Sequence, residues 1–299
     1  MRLYSYDDYQ VGVGVPDGGI VRATQFLPDV PPRDRMTALI ERWERLREPI
    51  ADLVTGATPI DLASVRLLPP QPHPGLLIAA PVNYRRHQQE MGGESGVYPG
   101  MVVHTIETYA GFVKASSSIV GPDDAIELPF EDRRVDHEAE LGVVIGATAS
   151  RVHRDRAMDY VFGYVPLLDI TLRGDEDRSY RKSFDTFTPI GPAIVTRDAV
   201  PGADALDFRL TVNGDIRQRA NTRDLIYGIS RLVELYSAAM TLHAGDIIAT
   251  GTPEGVGPIS PGDEVVLRID EVGELRMPVT LRKALTVNRQ DQPAIRGLS

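Results

Sequence analysis

The chain has 299 residues, a formal net charge of −10 at pH 7, 42% hydrophobic residues and no cysteine. This composition is that of a soluble globular protein of one or two domains, and it excludes disulfides, a thiolate nucleophile and cysteine-ligated metal. The acidic balance argues against nucleic acid as the main partner, and no apolar run approaches the ~18–20 residues of a membrane span. With no signal-peptide core at the N-terminus, we expect a cytoplasmic protein without a membrane partner.

The first part of the chain predicts a small N-terminal domain, residues 1–70. The apolar positions of residues 33–54 recur at helical spacing, and Pro49 is expected to break or end that helix. The proline-rich stretch 59–74 is typical of a stiff linker. We therefore place a boundary near residue 70, which leaves residues 71–299 as a second domain.

A histidine and a glutamate follow the apolar strand predicted at residues 76–82. His87 and Glu90 are three positions apart, so they share a face if the segment is a short helix. A carboxylate in that position orients an imidazole and raises its basicity, which suits a general base. The alternative is an exposed ion pair that contributes little to stability. The glycine-rich residues 92–100 that follow are typical of a mobile segment, so we expect this helix to lie on a lid formed by residues 83–100.

One lysine stands in the apolar stretch of residues 112–120. Two interpretations of Lys114 remain open from the residues alone. It is either a contact for an anion, or a lysine whose stem covers the core while its ammonium reaches water.

Three acids flank two apolar strands. The run Leu141–Gly146 predicts a buried strand, and extending it backwards includes Glu138 and Glu140 on one face, because strand residues i and i+2 point the same way. Adjoining carboxylates repel, so either one is protonated or a cation such as Mg²⁺, Mn²⁺ or Ca²⁺ lies between them. The alternative is a solvent-facing strand edge with two hydrated glutamates. Asp169 ends the apolar strand 161–168, where it is either a strand-end cap or a third oxygen ligand.

The last part of the chain combines strands with one helix. Asn213-Gly214 between two strand patterns predicts a hairpin with a type I′ turn. Residues 223–241 show the apolar spacing of an amphipathic helix. Thr250 and Thr252 stand in a glycine-rich segment just after a strand, a pattern equally typical of an anion-binding loop and of a tight β-turn.

Eight short motifs occur in one order along the chain. They are Asn83-Tyr84-x-x-His87-x-x-Glu90, Phe112-x-Lys114, His137-Glu138-x-Glu140-Leu141, Asp169-Ile-Thr-x-Arg173, Lys182-Ser-Phe-Asp185-x-Phe-x-Pro-x-Gly-Pro192, Val212-Asn-Gly214, Gly245-Asp246-x-Ile-x-Thr-Gly-Thr-Pro253 and Pro261-Gly-Asp263. From about Leu76 to Val279 the chain therefore resembles the fumarylacetoacetate hydrolase family.

This resemblance implies an α+β fold that is mostly β, a mixed β-sandwich roll with a small N-terminal α/β domain, and a homodimer. It implies Mg²⁺ or Mn²⁺, with Ca²⁺ as a possible substitute in vitro, on Glu138, Glu140 and Asp169. It also implies that catalysis falls to His87, Glu90 and Lys182, and that the substrate contacts are Tyr84, Lys114, Arg173, Glu176 and Thr250 or Thr252. The chain departs from the family pattern at Leu168, Gly174 and Glu176, which bears on substrate identity but not on the three acids.

The function that the resemblance implies is hydrolysis of a carbon–carbon bond in an acylpyruvate or diketo acid, in the catabolism of aromatic or sugar-derived acids. The partner would be a small anionic 2-oxo acid. Two alternatives remain open. One is decarboxylation, hydration or tautomerisation of a 2-oxo acid on the same fold, and the other is a catalytically silent paralogue that binds a metabolite.

Overall fold

The structure, a computed structural model, describes residues 1–16, 18–93 and 99–282. The α-helices in these ranges are α1 (Arg35–Glu41), α2 (Trp43–Gly56), α3 (Arg85–Gly92), α4 (Ile106–Tyr109), α5 (Arg178–Arg181) and α6 (Ile229–Ala239). The strands are β1 (Arg2–Tyr6), β2 (Gln10–Gly14), β3 (Ile20–Arg22), β4 (Leu67–Leu68), β5 (Leu77–Ala79), β6 (Phe112–Val113), β7 (Ile119–Val120), β8 (Ile126–Leu128), β9 (Val135–His137), β10 (Ala139–Ile145), β11 (Val161–Leu168), β12 (Thr171–Leu172), β13 (Thr188–Pro189), β14 (Ile194–Thr196), β15 (Asp207–Val212), β16 (Asp215–Asn221), β17 (Ile247–Ala249), β18 (Gly257–Pro258), β19 (Glu264–Ile269) and β20 (Gly273–Leu281). None of the helices in the described ranges has the length and apolar character needed to cross a membrane.

Two open sheets form most of the molecule. The larger has the order β3-β2-β1-β14-β11-β10-β17-β5-β6, with β4 also on β1, and the smaller has the order β16-β15-β19-β20-β8. Most neighbours are antiparallel, but β17 with β5 and β20 with β8 run parallel. Short sheets of β12-β9-β18 and β13-β7 complete the body. The expected α+β, mostly β, mixed sandwich is confirmed.

The larger sheet buries both of its faces, and β10 shows how. Val143 and Ile145 belong to a core shared with α6 and the five-stranded sheet, whereas Val144 faces the core under α1 and α2. This alternation is the two-residue period of a strand. Trp43 of α2 and Phe162 of β11 pack in a T-shaped arrangement, with ring centroids 5.3 Å apart.

The N-terminal segment joins the larger sheet directly, because β1 pairs with β14. The boundary proposed near residue 70 lies between β4 and β5 and stays a prediction. The expected end of the first helix at Pro49 was wrong, since α2 continues through Pro49 and the break between α1 and α2 falls at Arg42. Leu46 and Ile50, on either side of that proline, are anchored in the core, and this packing outweighs the missing backbone donor.

The predicted hairpin is confirmed by β15 and β16. Asn213 and Gly214 have φ angles of 54° and 87°, the left-handed pair that a type I′ turn requires. The following helix is shorter than expected, because α6 begins only at Ile229. Asn83 holds the segment just before α6 in a non-helical conformation. Its side chain accepts from the Tyr227 amide and donates to the Tyr227 carbonyl.

Candidate active site

The register of two strands brings three acids to one edge of the larger sheet. β10 and β11 run antiparallel with Glu140 opposite Leu167, so the start of β10 meets the end of β11. The Asp169 amide donates to the Glu138 carbonyl over 2.9 Å. One oxygen from each of Glu138, Glu140 and Asp169 lies within 4.8 Å of the others, and all three side chains are buried. The proximity predicted from strand geometry is present.

The pKa values of the two glutamates shift in opposite directions. The pKa of Glu140 is raised well above its usual value, first by burial and then by the negative charge of Asp169. Burial also opposes ionisation of Glu138, but the positive charges of Lys182 and Arg173 outweigh it and lower the Glu138 pKa. A buried set of carboxylate oxygens in which crowding resists ionisation fits a hard divalent cation, which would relieve the repulsion.

Two lysines contact these acids from opposite sides. Lys182 Nζ donates to Glu138 Oε2 over 2.7 Å and to Asp169 Oδ2 over 2.6 Å. Lys114 Nζ donates to the other oxygen of Asp169 and to the carbonyl of Phe187. The Lys114 ammonium is fully buried, and this burial lowers its pKa. The interpretation in which Lys114 extends its ammonium into water was therefore wrong.

An arginine and a further acid support Glu138. Arg173 donates to Glu138 Oε1 over 3.0 Å and to Asp136 Oδ2 over 2.7 Å. Asp136 is fully buried and also accepts two hydrogen bonds from Arg134. Sequence reasoning missed Asp136, although it precedes Glu138 by the same two-residue step that separates Glu138 from Glu140.

The predicted histidine–glutamate pair forms on α3. His87 Nδ1 lies 3.2 Å from Glu90 Oε2, and Glu90 Oε1 accepts from the Gly255 amide over 2.9 Å. His87 is only 4% exposed, so this is not the surface ion pair of the alternative interpretation. The segment predicted to be a lid extends beyond α3 into residues 94–98, which lie outside the described residues.

The glycine-rich segment after β17 closes over the acids. The Gly251 amide donates to Glu140 Oε2 over 2.7 Å. Gly251 has a φ of +98°, and a Cβ there would lie 2.7 Å from the Asn83 Cβ, so a side chain has no room. Asn83 Nδ2 in turn donates to the Thr250 carbonyl over 2.8 Å, which ties this segment to the start of α3.

Gln218 of β16 joins the acid-bearing strand to this segment, and no local pattern in the sequence singled it out. Its Oε1 accepts from the Ala139 amide over 3.0 Å and lies 3.1 Å from His137 Nδ1. Its Nε2 donates to Thr252 Oγ1 over 2.8 Å and to the Pro253 carbonyl. Gln218 thus fixes the position of the Thr252 hydroxyl relative to Glu138.

A cavity of about 260 Å³ opens in front of the acids. The predicted residues on its wall are His87, Glu138, Glu140, Asp169, Arg173, Lys182 and Thr252, and its other lining residues include Met91, Met101, Val102, Val103, Tyr109, Phe112, Arg178 and Arg181. Sequence reasoning did not identify Arg178 and Arg181, because nothing local marks them in a charged loop.

Four residues expected to contact substrate are absent from that wall. Tyr84 is buried with its ring edge against Phe208, and Lys114 lies behind Asp169. Glu176 pairs with Arg133 over 2.7 Å. The Thr250 hydroxyl is buried and has no hydrogen-bond partner among the described residues.

The family model described as fumarylacetoacetate (FAA) hydrolase C-terminal matches residues 77–280. A maleylpyruvate hydrolase from Aquipseudomonas alcaligenes is 42% identical over 285 residues, which are 93% of this chain and 99% of that protein. The chain belongs to the fumarylacetoacetate hydrolase family.

Relatives within the fumarylacetoacetate hydrolase family differ in activity. The structure of a maleylpyruvate hydrolase from Sphingobium in complex with a manganese(II) ion and pyruvate is similar to this chain with a TM-score of 0.83 and 41% identity, and the match covers 95% of this chain and 100% of that one. A mitochondrial oxaloacetate tautomerase from Xenopus laevis is 33% identical over 90% of this chain and 86% of its own length. Membership of the family therefore leaves both hydrolysis and tautomerisation as candidate reactions.

Proposed function

We propose that this member of the fumarylacetoacetate hydrolase family is a divalent-metal-dependent hydrolase that cleaves a carbon–carbon bond in an acylpyruvate or related diketo acid. The observation that carries the proposal is one cavity whose wall combines three clustered carboxylates with His87, the histidine that Glu90 contacts. The similarity to two maleylpyruvate hydrolases over nearly the whole chain supports hydrolysis, with a small 2-oxo acid as the ligand.

Glu138, Glu140 and Asp169 would hold Mg²⁺ or Mn²⁺, with the glutamate and aspartate oxygens as ligands. When bound, such an ion supplies Lewis-acid polarisation of substrate oxygens. The all-oxygen donor set suits both cations, and Ca²⁺ as well. The manganese ion in the Sphingobium relative supports the same class of ion here.

His87 is the proposed general base. Glu90 faces Nδ1; in the proposed mechanism Nδ1 carries a proton that it donates to Glu90, and Nε2 takes a proton from water. The water oxygen then forms a bond to the acyl carbonyl carbon, and the bond between that carbon and the pyruvate methylene breaks. The electron pair passes to the pyruvate half, which takes a proton to give pyruvate, while the acyl half leaves as a carboxylic acid.

Cationic and hydroxyl groups on the wall orient the substrate. Lys182, on the cavity wall, would neutralise negative charge as it develops on the pyruvate half. Arg173 and the Thr252 hydroxyl, which Gln218 fixes, are the proposed contacts for substrate oxygens. Lys114 is proposed to have a structural role, because its buried ammonium donates to Asp169 and does not line the cavity.

The proposal is tested with maleylpyruvate and the Mn²⁺-loaded protein in ¹⁸O-labelled water. Pyruvate and maleate should form in equal amounts, with the label in a maleate carboxylate. His87→Ala should cut turnover about 10²- to 10⁴-fold while Mn²⁺ binding persists. Interconversion of keto and enol forms without cleavage would identify a tautomerase, and binding without any reaction would identify a silent paralogue; both outcomes contradict hydrolysis.

The remaining expectations concern the oligomeric state, location and metabolic role of the protein. The homodimer, the cytoplasmic location and a place in the catabolism of aromatic or sugar-derived acids stay predictions. Size-exclusion chromatography with light scattering at several protein concentrations measures the first of them directly.

A further inference from the structure

One arginine on the cavity wall differs from the other cations there. Arg173 donates to Asp136 and Glu138, and Lys182 donates to Glu138 and Asp169. Arg181 is bound to the backbone carbonyls of Glu176 and Leu172. Arg178 alone makes no ion pair and no side-chain hydrogen bond with any residue of the ranges 1–16, 18–93 and 99–282. Within those ranges its five N–H donors meet no acceptor, which suits a residue that binds a ligand in the cavity.

The Arg178 guanidinium is nevertheless held in position. Its Cζ lies 4.7 Å from the ring centroid of Tyr109 and 5.7 Å from that of Phe112. Both aromatic residues line the same cavity. These two cation–π contacts restrict the position of the guanidinium. An arginine can offer a carboxylate two parallel hydrogen bonds.

Phe112 also shows where Arg178 lies relative to the acids. The same ring has Lys182 Nζ 5.3 Å from its centroid. Lys182 and Arg178 thus contact one aromatic ring, with Lys182 toward Glu138 and Asp169 and Arg178 on α5 toward Tyr109. A substrate whose 2-oxo acid end lies against Lys182 would extend its other end along Phe112 toward Arg178.

The cationic side chains on the cavity wall favour a ligand with more than one negative charge. Four cationic side chains, Arg173, Arg178, Arg181 and Lys182, share the wall with three carboxylates, and a divalent ion adds two further positive charges. A single 2-oxo acid carboxylate leaves much of this excess uncompensated. The apolar side chains of Met101 and Val102 on the same wall suit the hydrocarbon part between two charged ends.

We propose that Arg178 binds the distal carboxylate of a dianionic acylpyruvate, and that it makes the enzyme select diacids over acylpyruvates with an uncharged acyl group. This inference rests on the proposed hydrolysis of acylpyruvates and names the substrate class. The contact is a charge-assisted, bidentate hydrogen bond that an uncharged acyl group cannot make.

The catalytic test compares maleylpyruvate with 2,4-dioxoheptanoate, an acylpyruvate of the same carbon number that lacks the distal carboxylate. Arg178→Met should lower kcat/KM for the diacid about 10- to 100-fold and leave the value for the monoacid unchanged. Arg178→Lys, which keeps the charge but loses the fork of donors, should give an intermediate loss. An equal loss on both substrates, or no loss on the diacid, would overturn the proposal.

Binding provides a second measurement that does not depend on turnover. 2-Oxopimelate and 2-oxoheptanoate have equal chain lengths, differ by one distal carboxylate and lack the bond that the enzyme would cleave. Calorimetry on the Mn²⁺-loaded wild type should show tighter binding of 2-oxopimelate, and Arg178→Met should abolish that preference. If the wild type binds both equally well, the assignment of Arg178 is wrong whether or not any variant folds.

The two measurements also separate this inference from the proposed function. Suppose that the wild type cleaves neither acylpyruvate but binds 2-oxopimelate more tightly than 2-oxoheptanoate, and that Arg178→Met abolishes this preference. The carboxylate site at Arg178 would then stand, and only the proposed hydrolysis would be disproved. Arg231→Met is the matched control. The Arg231 Cζ also lies over a tyrosine ring, 5.1 Å from the Tyr227 centroid, but Arg231 does not line the cavity. It should change neither substrate preference nor binding.

Discussion

Glu90 accepts a hydrogen bond from the main-chain amide of Gly255 over 2.9 Å. The other oxygen of the same carboxylate faces His87. Glu90 thus both orients the proposed base and ties α3 to the glycine-rich segment that covers Glu140. A change at Glu90 should therefore alter the catalytic step without altering the acids themselves.

Glu90→Gln separates these two functions. The amide oxygen can still accept from Gly255, but the negative charge beside His87 is lost, so kcat should fall by about 10-fold or more. Glu90→Ala loses both contacts, so its kcat should fall further. Steady-state kinetics measures the change, and calorimetry should find Mn²⁺ affinity unaltered in both variants. An unchanged kcat in Glu90→Gln would show that the charge of Glu90 has no part in activating His87.

Gln218→Leu tests the link between the acid strand and the covering segment. The Ala139 amide loses its partner in a buried position, so the free energy of unfolding should fall by about 1–3 kcal/mol. The Thr252 hydroxyl is released at the same time, and kcat/KM should fall with it. Urea unfolding and kinetics measure the two effects.

A double-mutant cycle with Thr252→Val isolates the hydrogen bond between Gln218 and Thr252. If that bond positions the hydroxyl for the substrate, the losses in kcat/KM from the two single changes should not add. Fully additive losses would show that Gln218 acts only on stability.

Lys114→Met removes a buried cation and leaves Asp169 beside Glu140 without that positive charge. Breaking a buried ion pair from one side costs about 3–5 kcal/mol, so the metal-free variant should unfold at a clearly lower Tm. A divalent ion would restore positive charge at Asp169. Mn²⁺ should therefore raise Tm more in Lys114→Met than in the wild type, and an equal increase would contradict a shared role of Lys114 and the ion.

The buried hydroxyl of Tyr164 should lower the stability of the folded protein at alkaline pH. It has no hydrogen-bond partner among the described residues, and burial raises the pKa of Tyr164 to about 12. As the pH rises from about 10, the usual tyrosine pKa, the unfolded chain loses this proton while the folded chain keeps it. The free energy of unfolding therefore falls with rising pH up to a pH of about 12.

Tyr164→Phe removes both the unsatisfied hydroxyl and its titration. At neutral pH the variant should unfold at an equal or higher Tm than the wild type, and its loss of stability in alkali should be smaller. Thermal unfolding followed by circular dichroism at several pH values measures this difference. The same alkaline fall in both proteins would show that Tyr164 does not cause it.

The acid cluster was predictable because its signals are local. Glu138 and Glu140 stand one strand period apart, and Asp169 stands at the end of the next apolar strand, so antiparallel pairing suffices to bring them together. His87 and Glu90 were predictable for the same reason, from the spacing of one helical turn.

The residues that sequence reasoning missed or misplaced depend on distant parts of the chain. Gln218 contacts Ala139 and Thr252 across two sheets, and Lys114 meets Asp169 through the fold of a segment 55 positions away. The continuation of α2 through Pro49 is likewise a matter of packing that no local preference reveals. Spacing within one strand identified Glu138 and Glu140, and position at a strand end identified Asp169, whereas the side chains that position these acids required the tertiary structure.

Calorimetric titration of metal-free protein with Mn²⁺ tests most directly the claim that Glu138, Glu140 and Asp169 together hold one divalent ion. We predict one bound ion per chain in the wild type and in His87→Ala, and loss of that binding in Glu138→Gln. Absence of Mn²⁺ and Mg²⁺ binding in the wild type, with and without pyruvate present, or undiminished binding in Glu138→Gln, would contradict the account.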